Sequence, residues 1–285
     1  MGRIIGIVSG KGGAGKTTTA INLGLALTEH FNKKVALVDC NLTTAHIGLY
    51  LGIYITPITL NSVLQNRASL AGALYIHPSG LRIIPASLNI QDLQGIDHEL
   101  FTKTIKNLSE MFDIVLLDSA PGIDREALMA LKACDKVLFI ANPFIPSAVD
   151  VAKIVNLSIK LTQDGVADIE PIGVLMNRVK GKDYELSESE VERLTALPII
   201  GSIPEDESIL QSVNSKTPVI LSNPGSRASQ AYIQLAASLV GEKPEKDKGV
   251  GRFGESFREP AIEPKEKPGL IKRFLGYFKK LGRGA

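Results

Sequence analysis

The sequence predicts an α/β fold: a doubly wound, mainly parallel sheet with helices on both faces. Short apolar runs recur along the chain with segments of helical spacing between most of them, the alternation produced when crossover helices wind a parallel sheet. The runs read apolar throughout rather than alternately, as strands do when both faces are covered. An apolar fraction of 44% with nine Phe and six Tyr is enough for such a core and excludes a disordered or fibrous class.

In chain order, Ile4–Val8 is the first strand; it is too short, and too soon broken by Ser9-Gly10-Lys11, to be a signal peptide. Thr17–Glu29 has helical spacing, and Val35–Val38 and Leu81–Ile84 are the next strands. Helix Phe101–Met111 leads to strand Ile114–Leu117, then strand Val137–Ala141, helix Ala148–Leu161, strand Ile172–Met176, helix Ser187–Thr195 and strand Ile199–Ile203. Helix Ser226–Val240 closes a domain spanning residues 1–241. Residues 242–267 carry seven basic and seven acidic side chains with Pro and Gly, bury too little to fold, and read as a linker. In residues 268–285, Leu270, Ile271, Phe274, Leu275, Tyr277, Phe278 and Leu281 fall on one side of a helical projection, with Lys272, Lys279, Lys280 and Arg283 largely on the other. That pattern is a basic amphipathic helix suited to an anionic membrane interface, and also to a protein groove.

Charge is unevenly placed. The chain as a whole is +2, but the last 18 residues hold five basic groups and no acid, which leaves 27 basic against 30 acidic groups in residues 1–267. A folded domain of that sign argues against nucleic acid as partner. Cys40 and Cys134 stand far apart with no C-x-x-C, which fits a reducing compartment and excludes a disulfide framework or a zinc site of that spacing.

Directly after the first strand, Gly10-Lys11-Gly12-Gly13-Ala14-Gly15-Lys16-Thr17 satisfies G-x-x-x-x-G-K-[ST] and runs through Thr18 into a helix. Glycines let backbone N–H groups turn around a phosphate, Lys16 adds a point charge, and Thr17 can hold Mg²⁺ at the helix N-terminus. Asp118 ends the strand 114–117 and is a second candidate for the magnesium shell, although an acid there also reads as a cap or turn residue. Gly122 follows as a candidate N–H donor near the terminal phosphate.

With Lys11 near its start, the loop resembles that of the deviant Walker A ATPases of the MinD/ParA group, and the likeness covers roughly residues 1–241 and resumes at the C-terminal tail. The resemblance implies a P-loop NTPase fold, ATP and Mg²⁺ as cofactors, and an ATP-dependent homodimer in which Lys11 reaches the partner's phosphates. It also implies that Asn177 reads adenine with Arg178 beside the base, and that Pro204, Glu205 and Asp206 line the other side; taken alone, Asn177 reads equally as a turn residue. The basic tail matches a membrane-targeting helix, which implies a cytoplasmic protein, peripheral on the inner face of the cell membrane, that recruits a protein partner. The alternatives are a DNA-partitioning ATPase of the ParA type, which the charge balance disfavours, and a non-hydrolysing ATP-gated membrane adaptor. Val38-Asp39-Cys40-Asn41 motivates the second: the family has two acids here, separated by one residue, the second activating the attacking water. Asp39 keeps the first, and Asn41 stands at the second.

Overall fold

The computed structural model describes residues 1–243. Among them, eight strands form one sheet: β1 (Arg3–Val8), β2 (Val35–Asp39), β3 (Tyr75–Ile76), β4 (Arg82–Ile84), β5 (Ile114–Asp118), β6 (Lys136–Ala141), β7 (Glu170–Val179) and β8 (Ile199–Pro204). Their spatial order is β3-β4-β2-β5-β1-β6-β7-β8, parallel except for the β3–β4 pair. The chain builds the half on one side of β1 first, and after β5 it crosses β1 to build the other half. That reversal places a crevice at the carboxyl ends of β5, β1 and β6, where open α/β sheets bind ligands. Register fixes what lines it: Ile7 of β1 and Asp39 of β2 both lie opposite Asp118 of β5.

The helices are α1 (Lys16–Phe31), α2 (Ile47–Tyr50), α3 (Leu60–Leu64), α4 (His98–Met111), α5 (Arg125–Lys132), α6 (Ile145–Gln163), α7 (Glu188–Thr195), α8 (Glu207–Ser215), α9 (Val219–Ser222) and α10 (Arg227–Val240). Successive strand residues point to opposite faces, so the strands other than β3 feed two cores. Ile4, Val38, Val115, Leu117 and Phe139 pack with Phe101 and Ile105 of α4 and Val151 and Ile154 of α6. Ile5, Ile7, Leu37, Leu116 and Ile140 pack on the other face with Leu23 and Leu27 of α1 and Tyr232 and Leu235 of α10. The doubly wound, parallel fold read from the sequence is therefore the fold observed, and its strand and helix positions hold within a few residues.

The structure adds elements that the sequence pattern did not single out. Tyr75–Ile76 pairs antiparallel with Arg82–Ile83 around Gly80, whose φ is +90°; two residues are too few to show a period. α5 and α8 add two further helices of eight and nine residues. Their caps are legible in hindsight: Asp124 accepts from Ala127 N–H and Asp206 from Ser208 N–H. Except for Glu242 and Lys243, the linker 242–267 lies outside the described residues, as does the amphipathic segment 268–285 with Leu270, Ile271, Phe274, Leu275, Tyr277, Phe278 and Leu281. Glu242 itself pairs with Lys33 at 2.6 Å.

Candidate nucleotide site

The glycine-rich loop joins β1 to α1 at the carboxyl end of the sheet. Gly13 and Gly15 have φ of +75° and +100°, conformations that other L residues rarely adopt, and Gly15 is the N-cap of α1 with no side chain to satisfy the first-turn N–H groups. The first turn also lacks an acid, so the positive end of the helix is left for an external anion. A Cβ on Gly12 or Gly13 would meet nothing within 4 Å, which marks open space above the loop. Gly10 differs: a Cβ there would sit 2.3 Å from Asp150 Cβ and 2.8 Å from its backbone carbonyl carbon, so the loop lies directly on α6. Gly10→Ala is expected to cost about 1–3 kcal/mol of stability and to weaken nucleotide binding, because loop and α6 cannot both keep their places. A denaturation midpoint equal to that of the wild type would refute this packing.

Lys16 is 7% exposed and its Nζ donates to Ser9 Oγ at 2.9 Å, while Ser9 Oγ donates to the Lys11 carbonyl at 2.8 Å. Burial lowers the Lys16 pKa, and the charges of Asp118 and Asp124 partly restore it. A cation is thus held ready beneath the loop with, among the described residues, only a hydroxyl as its hydrogen-bond partner.

Thr17 Oγ1 donates to Asp118 Oδ2 at 2.7 Å. Asp118 Oδ1 is buried and has no hydrogen-bond partner among the described residues, an expensive state for a carboxylate oxygen. Burial raises the Asp118 pKa, against the opposing effects of Thr17 and Lys16. The pair therefore fits a hydrated divalent cation, which would complete the contacts of Oδ1 and offset its burial. Asp39, opposite Asp118 and fully buried, is committed instead to the backbone of the loop that follows it. Its Oδ1 accepts from Asn41 N–H at 3.2 Å and its Oδ2 from His46 and Ile47 N–H at 3.0 and 3.1 Å. Its pKa is raised by burial and by Asp118 in spite of these bonds. The Gly122 N–H, which the sequence suggested for the terminal phosphate, is donated to the Ser9 carbonyl at 3.1 Å; it ties the segment after β5 to the loop instead.

Beside the loop, a cleft of about 210 Å³ is lined by Gly15, Thr18, Asn177, Arg178, Pro204, Glu205 and Asp206, together with Ile209, Leu210 and Tyr232. The structure thus gathers the base-site candidates in one place. Asn177 is buried and its Nδ2 donates to the Ala14 carbonyl at 2.7 Å, so it braces the phosphate loop as well as lining the cleft. Arg178 has a left-handed φ of +62° at the end of β7. The Asp206 carboxylate is spent on structure, capping α8 and accepting from Ala228 N–H of α10 at 3.1 Å. Ile209, Leu210 and Tyr232 wall the cleft without any sequence signal, because apolar side chains carry no motif, and Tyr232 belongs to the core as well. A larger groove of about 480 Å³ opens at the amino ends of β1, β2 and β5, lined by Met1–Arg3, Lys34 and Ser109–Asp113; it contains none of the phosphate-loop residues.

Lys11 is exposed and points outward, its Nζ 3.4 Å from Asp150 Oδ2, a carboxylate that Lys153 also holds at 3.0 Å. Hydrogen bonds from Lys153 and Lys11 keep the Asp150 carboxyl below its usual range. Asn41 is half-buried, and its Oδ1 accepts from Thr44 Oγ1 at 3.0 Å and Thr44 N–H at 3.3 Å.

A glycine loop on a helix N-terminus, a buried lysine beneath it and a Thr–Asp pair beside it define a P-loop nucleotide-binding protein. Residues 5–219 match the CobQ/CobB/MinD/ParA nucleotide binding domain, and the chain belongs to that family. Its relatives include an uncharacterized ATP-binding protein of Methanocaldococcus jannaschii, 35% identical over 84% of this chain and 88% of that protein. The septum site-determining protein MinD of Thermotoga maritima is 31% identical over the whole of both chains. Among solved structures, MinD of Pyrococcus horikoshii in complex with Mg-ADP has a TM-score of 0.77 and 32% identity, covering 84% of this chain and 96% of that one. The chain is a MinD-like member of the family. No helix among the described residues is long and apolar enough to cross a membrane.

Proposed function

We propose that the chain is a switch that binds Mg-ATP, dimerises on it, attaches to the inner face of the cell membrane and there positions cellular machinery by recruiting a protein partner. One observation carries the nucleotide reading: a buried, undercompensated cation at Lys16 and a partnerless buried oxygen at Asp118 flank the same open glycine loop. In this reading Lys16 and the loop N–H groups hold the β- and γ-phosphates, Thr17 and Asp118 hold magnesium, and the cleft of Asn177, Arg178 and Pro204–Asp206 takes adenine. Bound magnesium neutralises charge that develops on the terminal phosphates. Outward-facing Lys11 supports a contact in trans to a second copy. The Mg-ADP complex of the Pyrococcus relative supports the choice of cofactor. Asn41 supports slow ATP hydrolysis, since an amide orients a water but cannot accept its proton.

Residues 242–267 serve as the linker and 268–285 as the membrane anchor. A 26-residue coil spans roughly 28 Å, enough for both tails of a dimer to reach one bilayer. Each cation near an anionic surface adds about 1 kcal/mol, and pairing two tails gains roughly 10²–10⁴ in avidity. Sedimentation with anionic liposomes is therefore expected with Mg-ATP and much less with Mg-ADP. Deleting Pro268–Ala285 should abolish it with ATP affinity unchanged, Phe274→Glu should do nearly as much, and added salt should weaken the intact chain. Equal sedimentation of the truncated chain would remove the tail from this role.

A further inference from the structure

The loop Asn41–His46 leaves β2 beside Asp118 and is held on three sides. Its root rests on the Asp39 carboxylate, through the N–H groups of Asn41, His46 and Ile47. Its first turn is closed by Asn41 Oδ1 accepting from Thr44. The third hold comes from another element, 83 residues away in sequence: Glu126, in the first turn of α5, accepts from Thr43 N–H at 3.3 Å through Oε2 and from the Thr43 hydroxyl through Oε1.

Glu126 is not needed as the cap of α5, because Asp124 fills that position. Nor does it form an ion pair among the described residues; its side-chain hydrogen bonds there are both to Thr43. Both ends of the link lie in telling places. α5 follows the segment Asp118–Asp124, whose first residue bonds Thr17 and whose Gly122 is tied to Ser9 of the phosphate loop. Thr43 stands two residues after Asn41, on the loop that begins where Asp39 faces Asp118 across the β2–β5 register. Glu126 thus bridges the two segments that flank the space beyond Lys16 and Thr17.

We propose that Glu126 and Thr43 form a clamp that pre-orders the Asn41–His46 loop for the γ-phosphate, making Glu126 a positioning residue for preference of ATP over ADP. The inference rests on the reading of this site as an ATP site. ADP is held by the loop glycines, Lys16 and the base cleft, none of which touches the clamp. In this reading a third phosphate is the group that would extend toward the clamped loop, since that loop leaves β2 where Asp39 faces the Thr17-bonded Asp118. A loop that had to be ordered during binding would subtract its lost conformational entropy from the affinity for the triphosphate alone. A hydrogen-bonded carboxylate that orders it beforehand removes that penalty.

The test is calorimetry on the full chain with Mg-ATPγS and Mg-ADP, for wild type, Glu126→Ala, Thr43→Val, the double variant and Thr43→Ser. Wild type is expected to prefer ATPγS. Each disruptive single variant should lose about fivefold to tenfold of that preference, with ADP affinity held within about twofold. The double variant should lose no more than either single, since the two residues act as one unit. Thr43→Ser keeps the hydroxyl and should keep the preference. An unchanged preference in Glu126→Ala, a parallel loss of ADP affinity, or a wild type that binds both nucleotides equally would each overturn the clamp. A wild type that binds neither would instead overturn the ATP-site reading on which it rests.

Discussion

Lys16→Ala is expected to lower Mg-ATP affinity by at least about 100-fold, the equivalent of one or two charge-assisted hydrogen bonds, and to leave the fold intact. The size follows from the geometry. Lys16 is buried and among the described residues its Nζ is bonded only to Ser9 Oγ, so its charge is weakly compensated until a phosphate arrives. Removing it takes away the cation held beneath the loop and leaves the charges of Asp118 and Asp124, which it now opposes, to act against incoming phosphates of the same sign. The side chain is no part of either apolar core, so thermal unfolding should move little beside the loss of binding. Calorimetry on the variant checks this directly, and an affinity equal to wild type would show that the nucleotide is held elsewhere.

Asn41→Asp is expected to raise phosphate release by at least about tenfold, short of the 10²–10⁴ that a positioned general base typically contributes. The substitution is nearly isosteric, and its cost to the loop should be small. Asn41 Oδ1 accepts from the Thr44 hydroxyl and N–H, and a carboxylate oxygen accepts from the same donors in the same turn. What changes is the other atom: Nδ2, which can only donate, becomes an oxygen able to take a proton from water. The gain is held below the full range because Asp39 and Asp118, both buried close by and already kept from ionising easily, disfavour another carboxylate charge beside them. Wild type and variant should be compared with ATP and anionic liposomes under the same conditions. A wild type already fast, and no faster with Asp, would assign the attacking water to another group.

Much of this protein is legible in its sequence, and the division follows the range of the interactions. The phosphate loop is contiguous, and its positive-φ glycines and the lysine and threonine that follow are set by local backbone sterics, so the pattern from Gly10 to Thr17 fixes both conformation and chemistry. The long strands and helices are legible for the same reason, since their periods repeat within each element. β3, with two residues, is too short to repeat one. Contacts between distant residues follow a different rule. Nothing near Asp39 in sequence reveals that its carboxylate is committed to the N–H groups of Asn41, His46 and Ile47; that depends on the turn the loop takes after β2. Asn177 reaches the Ala14 carbonyl, and Glu126 reaches Thr43, only because the strand order sets β1 between β5 and β6 and brings the loops after β1, β2, β5 and β7 to one end of the sheet. Tyr232 and Leu210 become walls of a cleft by the same means, Tyr232 while also packed in the core between α10 and the sheet. The sequence by itself determined which groups can do chemistry, because that depends on residue type and local backbone. Tertiary structure alone decided which of them meet, because strand order and register set distances between residues that the chain places far apart.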